Sequence, residues 1–365
     1  MVAEPNGRLA QFYRHFSRRL TRWLDAANPP EWATVMGTAL IVGVGAGLGA
    51  VVFRLLIGLA QALFFDLGAR LLSFMGAYYI LIIPVLGGLV GGPLIYFWAR
   101  EAKGHGVPEV MEAVALRGGR IRPRVAVIKA LASSVCIGSG GSVGSEGPIV
   151  QIGSALGSTV GQVLRLSEER IRSLVACGAA GGISAVFNAP IAGTIFALEV
   201  ILGEFHSTYF GAVVISAVIA DVVVHVFEGA NRAFTVPPYR LVSPGELLLY
   251  ALLGVLAAPV SVLYAKTVDG LEGVFDGWRR LPGFLKPAVG GLGIGLIGVL
   301  LIAVSTNFSP AADLTFAWRD NGRLMPSVFG VGYEVVDSAL LGQIPVGTAI
   351  ALMFLKLLVT GLTLG

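Results

Sequence analysis

The chain has 365 residues, 55% of them hydrophobic and only 13% charged, against about 25% charged in a soluble domain. Half the usual charge cannot cover a water-facing surface, so an ordinary soluble fold is excluded. The 50 glycines follow no G-X-Y period, which excludes collagen, and they suit helices packed closely within a bilayer. The net charge of +4 is small and uneven, and nucleic acid is not an expected partner.

In chain order, Arg8, Arg14, Arg18, Arg19 and Arg22 crowd the N-terminus. Arg117, Arg120, Arg122 and Arg124 crowd a later loop. Both segments read as cytoplasmic under the positive-inside rule. No apolar h-region follows the first basic cluster, so no cleaved leader is expected. Residues 9–24 read as an interfacial helix lying on the bilayer, within a cytoplasmic N-terminal region 1–33.

A helical crossing needs about 20 apolar residues. Charge-free runs of about that length or more occupy 34–53, 71–99, 173–198, 247–265 and 287–312. Those at 147–164 and 338–355 are shorter, and the run 205–228 is interrupted by Asp221. Such unequal lengths predict full crossings mixed with helices that stop partway, as in transporters with broken helices. The glycine-dense stretches Gly43–Gly49 and Gly87–Gly92 predict close helix contact. Segments 100–124, 228–246 and 266–286 are polar and read as connections. Cys136 and Cys177 stand in apolar runs without partner spacing and read as small core residues. With only 4 histidines besides, no metal site and no cofactor are expected.

The chain also repeats itself. Gly104-His105-Gly106-Val107-Pro108-Glu109-Val110 matches Gly330-Val331-Gly332-Tyr333-Glu334-Val335 with one residue fewer. Lys129 and Cys136-Ile137-Gly138 follow the first copy; Lys356 and Thr363-Leu364-Gly365 follow the second at the same offsets. This predicts two halves of one repeat, inverted in the membrane, over 34–228 and 229–365. Gly138 opens the run Ser139-Gly140-Gly141-Ser142-Val143-Gly144-Ser145-Glu146-Gly147-Pro148, whereas the sequence stops at the matching Gly365. The second half is therefore expected to be partial, by roughly 100 residues if the halves are of similar size.

Three places place small residues before a proline and an apolar stretch: Gly106-Val107-Pro108, Glu146-Gly147-Pro148 and Asn188-Ala189-Pro190. Proline suits the first turn of a helix, so each predicts a helix start. Such a start at mid-membrane offers N–H groups and a positive dipole end to an anion without a full charge, which lets the ion leave again. Glu146 is the only carboxylate between Glu112 and Glu168. Its carboxylate can occupy the place an anion would take and leave when protonated or displaced, and an acid inside the membrane marks a functional site by default. The bland reading is a surface acid capping a helix. No Gly-Lys-Ser/Thr accompanies the glycines, so a phosphate cradle is not expected. An intramembrane serine hydrolase would need Ser139 with His105 or His206, but no Gly-x-Ser-Gly or Gly-x-Ser-x-Gly surrounds Ser139.

Together these motifs resemble the CLC family of chloride channels and chloride/proton exchangers. The residues that carry the resemblance are Gly104–Pro108, Gly144–Pro148 with Ile149-Val150-Gln151-Ile152-Gly153, and Phe187–Gly193 with Leu198-Glu199. The resemblance implies an all-α polytopic membrane protein built as an inverted repeat with broken, tilted helices. It also implies a homodimer in the lipid bilayer, with an anion pathway in each subunit. The bacterial inner membrane, with a cytoplasmic N-terminus, is the expected location. Glu146 matches the family's external gating glutamate. The expected anion site consists of Gly104, His105, Gly106, Val107, Pro108, Gly147, Pro148 and Ile149. The family usually has serine where this chain has His105; a neutral imidazole can donate N–H as serine donates O–H, while a protonated one would hold the anion harder. Exchangers usually carry a second, inner glutamate, and the matching position here is Val200. Valine carries no proton, so the expected activity is passive conduction of chloride or similar small anions gated by Glu146, with chloride/proton antiport as the alternative.

Overall fold

The computed structural model describes residues 30–203, 207–229, 243–308, 316–320 and 323–365, together with positions 234, 236 and 237. The interfacial helix expected over 9–24 lies outside them, as do His206 and part of the connection 228–246. Among the described residues the longer α-helices, in chain order, begin with α1 (Glu31–Gln61), α2 (Tyr79–Trp98), α3 (Val107–Leu116), α4 (Pro123–Gly138), α5 (Glu146–Val163) and α6 (Glu168–Phe187). After these come α7 (Pro190–Phe196), α8 (Ser207–Glu228), α9 (Glu246–Gly277), α10 (Lys286–Phe308), α11 (Tyr333–Leu340) and α12 (Val346–Leu364). A π-helical turn, Ala62–Leu67, extends α1, and another, Ala197–Leu202, extends α7. One antiparallel hairpin, β1 (Ala317–Asp320) with β2 (Arg323–Pro326), sets Trp318 opposite Met325.

Among the described residues 7 spans are long and apolar enough to cross a membrane: Glu31–Leu71, Tyr79–Trp98, Glu168–Phe187, Tyr209–Glu228, Glu246–Gly277, Lys286–Ser305 and Val346–Leu364. Their bounds depart from the charge-free runs for local reasons. The first helix continues past Arg54 and Asp66, because single charges interrupt an apolar run but not the backbone hydrogen bonds of a helix. At 41 residues it is about twice as long as one crossing requires. The run 173–198 is split, with Asn188 in the left-handed region (φ 54) ending α6 and Pro190 opening α7. The run 338–355 is likewise split, between Leu341 and Pro345, where Gly342 has φ +71. Asp221 does not break α8. The segment 266–286, expected as a connection, is helical as far as Gly277, with Val268 and Phe275 buried on one stripe.

Two compact units emerge. One takes the described residues up to Phe53, Glu101–Ala130 and the described residues from Glu146 to 229. Its centre is α6, fifteen of whose residues are buried and mostly small. Cβ atoms added at Gly153 of α5 and Gly178 of α6 would lie 2.1 and 2.0 Å from each other's carbonyl oxygens, so only glycine permits this crossing. On α1, Gly43 and Gly47 similarly face Ser216 and Ala220 of α8, as the dense glycines predicted. Two buried hydroxyls bridge helices here: Ser154 donates to the Val175 carbonyl and Ser216 to the Cys177 carbonyl.

The other unit takes Arg54–Arg100, Leu131–Ser145 and the described residues from 234 onward. Its core gathers Phe65, Ile80, Ile83, Ile294, Leu301, Phe329 and Val359. Here α2 and α10 cross on glycines from both sides, Gly88 against the Pro287 carbonyl and Gly291 against that of Pro84. Within this unit Ser142 N–H donates to Thr363 Oγ1 at 3.0 Å.

The repeat is visible in each unit separately. In the first, Lys129 Nζ donates to the carbonyls of Ala102 (3.0 Å) and Gly104 (2.8 Å). In the second, Lys356 Nζ donates to those of Val328 (3.2 Å) and Gly330 (2.8 Å). Gly104 and Gly106 have φ of +99° and +100°, and Gly330 and Gly332 have φ of +65° and +90°. The matched lysines thus hold equivalent glycine-bent segments ahead of a helix, in keeping with the repeat read from the sequence.

Candidate functional site

All three proline motifs open helices, at Val107, Glu146 and Pro190. Two of these starts meet. A Cβ added at Gly106 would lie 2.3 Å from the Gly147 carbonyl oxygen, and one added at Gly147 would lie 1.9 Å from the His105 carbonyl oxygen. The N-terminus of α3 and that of α5 therefore touch backbone to backbone, and only glycine fits at the contact. Gly104, His105, Gly106, Val107 and Pro108 are brought against Gly147, with Pro148 and Ile149 buried behind it. Gly182 of α6 backs the α5 start, its added Cβ falling 2.8 Å from the Ile149 carbonyl.

The first turn of a helix leaves its N–H groups without partners inside the helix. At α5 these include the amides of Gly147 and Ile149, since Pro148 has none. At α3 one expected amide is already engaged: Gly106 N–H donates to Glu109 Oε2 at 2.7 Å. The reason is local, because a glutamate three residues into the helix reaches back to the capping amide. Val107 carries the first N–H beyond it, ahead of Pro108. Glu109 also places a carboxylate at the positive end of α3 and offsets part of its dipole, whereas α5 has only the half-buried Glu146 there. The His105 side chain is half-buried.

Around this contact stand groups that the motif reading did not assign to the site. Lys129, 4% exposed, holds the carbonyls on either side of Lys103 and so fixes the bend leading to Gly104. Gln151, 2% exposed, donates to the Glu101 carbonyl at 3.0 Å and ties α5 to the turn ahead of Gly104. Glu101 also pairs with Arg122 at 2.8 Å. The signal for Glu109 was in the sequence, as a glutamate three positions after the capping glycine.

Val200 sits in the π-helical turn after α7, and that turn packs against α3. Glu199, beside it, is exposed. The helix start at Pro190 belongs to a separate place, where α6 turns into α7. Ser139, the nucleophile a hydrolase would need, is 2% exposed; its hydroxyl donates to the Cys136 carbonyl at 3.1 Å and fills the space left by Gly87.

A family model described as voltage gated chloride channel matches residues 86–365. A ClcB-like protein of Ralstonia nicotianae, named for a chloride channel, is 35% identical over 264 residues, covering 71% of this chain and 56% of that protein. A protein of Vibrio cholerae named H(+)/Cl(-) exchange transporter ClcA is 32% identical over 283 residues, covering 74% of this chain and 59% of that one. A solved structure described as a slow cyanobacterial Cl-/H+ antiporter superposes with TM-score 0.69 at 20% identity, over 91% of this chain and 74% of that one. At that identity the likeness concerns the fold: helical, polytopic and membrane-embedded. The chain spans little more than half the length of these two sequence relatives.

Proposed function

We propose, since the chain belongs to the voltage gated chloride channel (CLC) family, that it moves chloride or similar small anions across the membrane in exchange for protons carried by Glu146. The observation that carries the reading is the contact between the starts of α3 and α5, which aims two helix N-termini at one place. Backbone N–H groups of Val107, Gly147 and Ile149 hold the anion. Because Glu109 takes the Gly106 amide and part of the α3 dipole, α5 supplies most of the attraction. Dipoles attract without a full charge, so the ion is held and released in turn. Lys129 supports the site by fixing the Gly104 carbonyl. Glu146, in the first turn of α5, competes for the same positive end; protonation removes its charge and opens the place to an anion.

Passive conduction is the second reading, and Val200 is the observation that favours it. Exchange stands first because the Vibrio cholerae relative is named as an exchange transporter and because Glu146 already provides a proton carrier at the anion's place. The reading includes a homodimer, which cross-linking in membranes tests, and a bacterial inner-membrane location with the N-terminus in the cytoplasm.

Paired chloride and proton flux from liposomes holding the full-length protein separates the two. Exchange predicts that a chloride gradient drives protons uphill at a fixed ratio. Chloride flux without uphill proton movement makes the protein a channel, and no chloride flux from folded protein removes the anion assignment.

A further inference from the structure

Exchange needs a proton route as well as an anion site, and Glu146 supplies a carrier only at the helix starts. Glu101, in the short turn Arg100–Ala102 between α2 and α3, faces both water and the interior. Its Oε1 lies 2.8 Å from Arg122 and 3.6 Å from Arg124, two arginines that are about half exposed. Its Oε2 is buried and has no hydrogen-bond partner among the described residues. A second buried acceptor stands at the same residue. Gln151 of α5 donates from Nε2 to the Glu101 carbonyl at 3.0 Å, yet its Oε1 is also buried and unpartnered.

Two such acceptors have given up water without a replacement, which is unfavourable. A carboxylate oxygen only accepts, whereas the protonated acid has an O–H to donate. One proton on Oε2 therefore gives the buried side of Glu101 the donor it lacks, with Gln151 Oε1 as the acceptor beside it. Gln151 is five positions along α5 from Glu146, about 7.5 Å of helix rise. The pair thus leads from an arginine-lined surface to the helix that carries the acid at the anion's place.

We propose, resting on exchange as the function, that Glu101 is a proton-transfer residue that takes a proton on Oε2 from the arginine-rich face and passes it along the Gln151 side of α5 to Glu146. A proton from bulk water forms the O–H bond of Glu101. That bond breaks as the O–H of Glu146 forms, through water hydrogen-bonded at Gln151 Oε1, and Glu101 returns to the carboxylate paired with Arg122. One proton moves and no charge accumulates. Arg122, just before α4, and Arg124, in its first turn, favour the ionised form and so favour release. Lys129 of α4 is turned instead to the carbonyls of Ala102 and Gly104. Arg100, Lys103 and His105 flank Glu101 in sequence. On α3, Glu109 is bonded to the Gly106 amide and Glu112 to Arg117. Along α5 the only ionisable group is Glu146.

Two readouts on the full-length protein in lipid test this. In paired chloride and proton flux, Glu101→Gln should still move chloride but lose uphill proton movement. The double variant Arg122→Gln, Arg124→Gln breaks the same ion pairs and keeps the acid, so it should stay coupled. Coupling that survives in Glu101→Gln, or that is lost equally in the arginine variant, overturns the proposal. Infrared difference spectra through an acid titration read the acid itself and need no transport. A carboxylic acid C=O band should appear on acidification, persist in Glu146→Gln and vanish in Glu101→Gln. Its midpoint should move to higher pH in the arginine variant, since removing cations favours the neutral acid. A wild type without uphill proton movement removes the exchange reading, whereas a band set unchanged in Glu101→Gln removes this one. If Glu101→Gln does not fold, an undisplaced midpoint in the arginine variant is equally contrary.

Discussion

Replacing Gly147 by alanine puts a methyl group where the starts of α3 and α5 meet. Its Cβ would lie 1.9 Å from the His105 carbonyl oxygen, whereas real Cβ atoms essentially never come within 3.0 Å of such a neighbour, so the two helix starts must part by about 1.1 Å. Overpacking of this kind costs about 1–3 kcal/mol of stability. If the anion is held by amides from both helices, a 1 Å misplacement of binding groups costs transport on the order of 10²-fold. Gly153→Ala is the matched control, since its Cβ would lie 2.1 Å from the Gly178 carbonyl on the same helix, three residues beyond Val150 and away from the start. Thermal unfolding and chloride flux, measured on both variants, separate packing from function. Similar stability losses with a flux defect confined to Gly147→Ala are expected. Equal flux in the two variants would refute the placement of the anion at the helix starts.

Three further outcomes follow from the same geometry. Lys129→Met removes two charge-assisted hydrogen bonds worth about 1.5–3 kcal/mol each, and Lys356→Met removes the equivalent pair. Unfolding should show comparable destabilisation in both, while calorimetric chloride affinity should fall more for Lys129→Met; the reverse order would count against the support given to Gly104. Glu146→Gln should abolish uphill proton movement and flatten the pH dependence of chloride flux, and unaltered coupling would remove Glu146 from its role. His105→Ser exchanges one donor for another, worth up to about tenfold in relative anion affinity. Reversal potentials in chloride and nitrate measure it, and an unchanged ranking would show that His105 does not touch the ion.

Much of the candidate site's geometry was legible because it is carried by backbone. Glycine and proline are the residues that announce where a helix starts, and all three marked starts are real. The lysine repeat was equally readable, since a buried cation needs acceptors and the same spacing supplied the same carbonyls twice. What could not be read was which starts meet: Gly106 and Gly147 are 41 positions apart, and only the packing of α5 on α3 brings them together. Charge-free runs marked the presence of helices better than their ends. Asp221 looked like an interruption because a single sequence does not show that His225 and Asn188 stand beside it.

The central claim is that an anion rests between the N-termini of α3 and α5. Crystals of the full-length protein grown in bromide would locate it by anomalous scattering. A peak within hydrogen-bonding reach of the Val107, Gly147 and Ile149 amides, displaced when Glu146 is ionised, is the predicted result. A peak elsewhere, with those amides turned to protein partners, would contradict it.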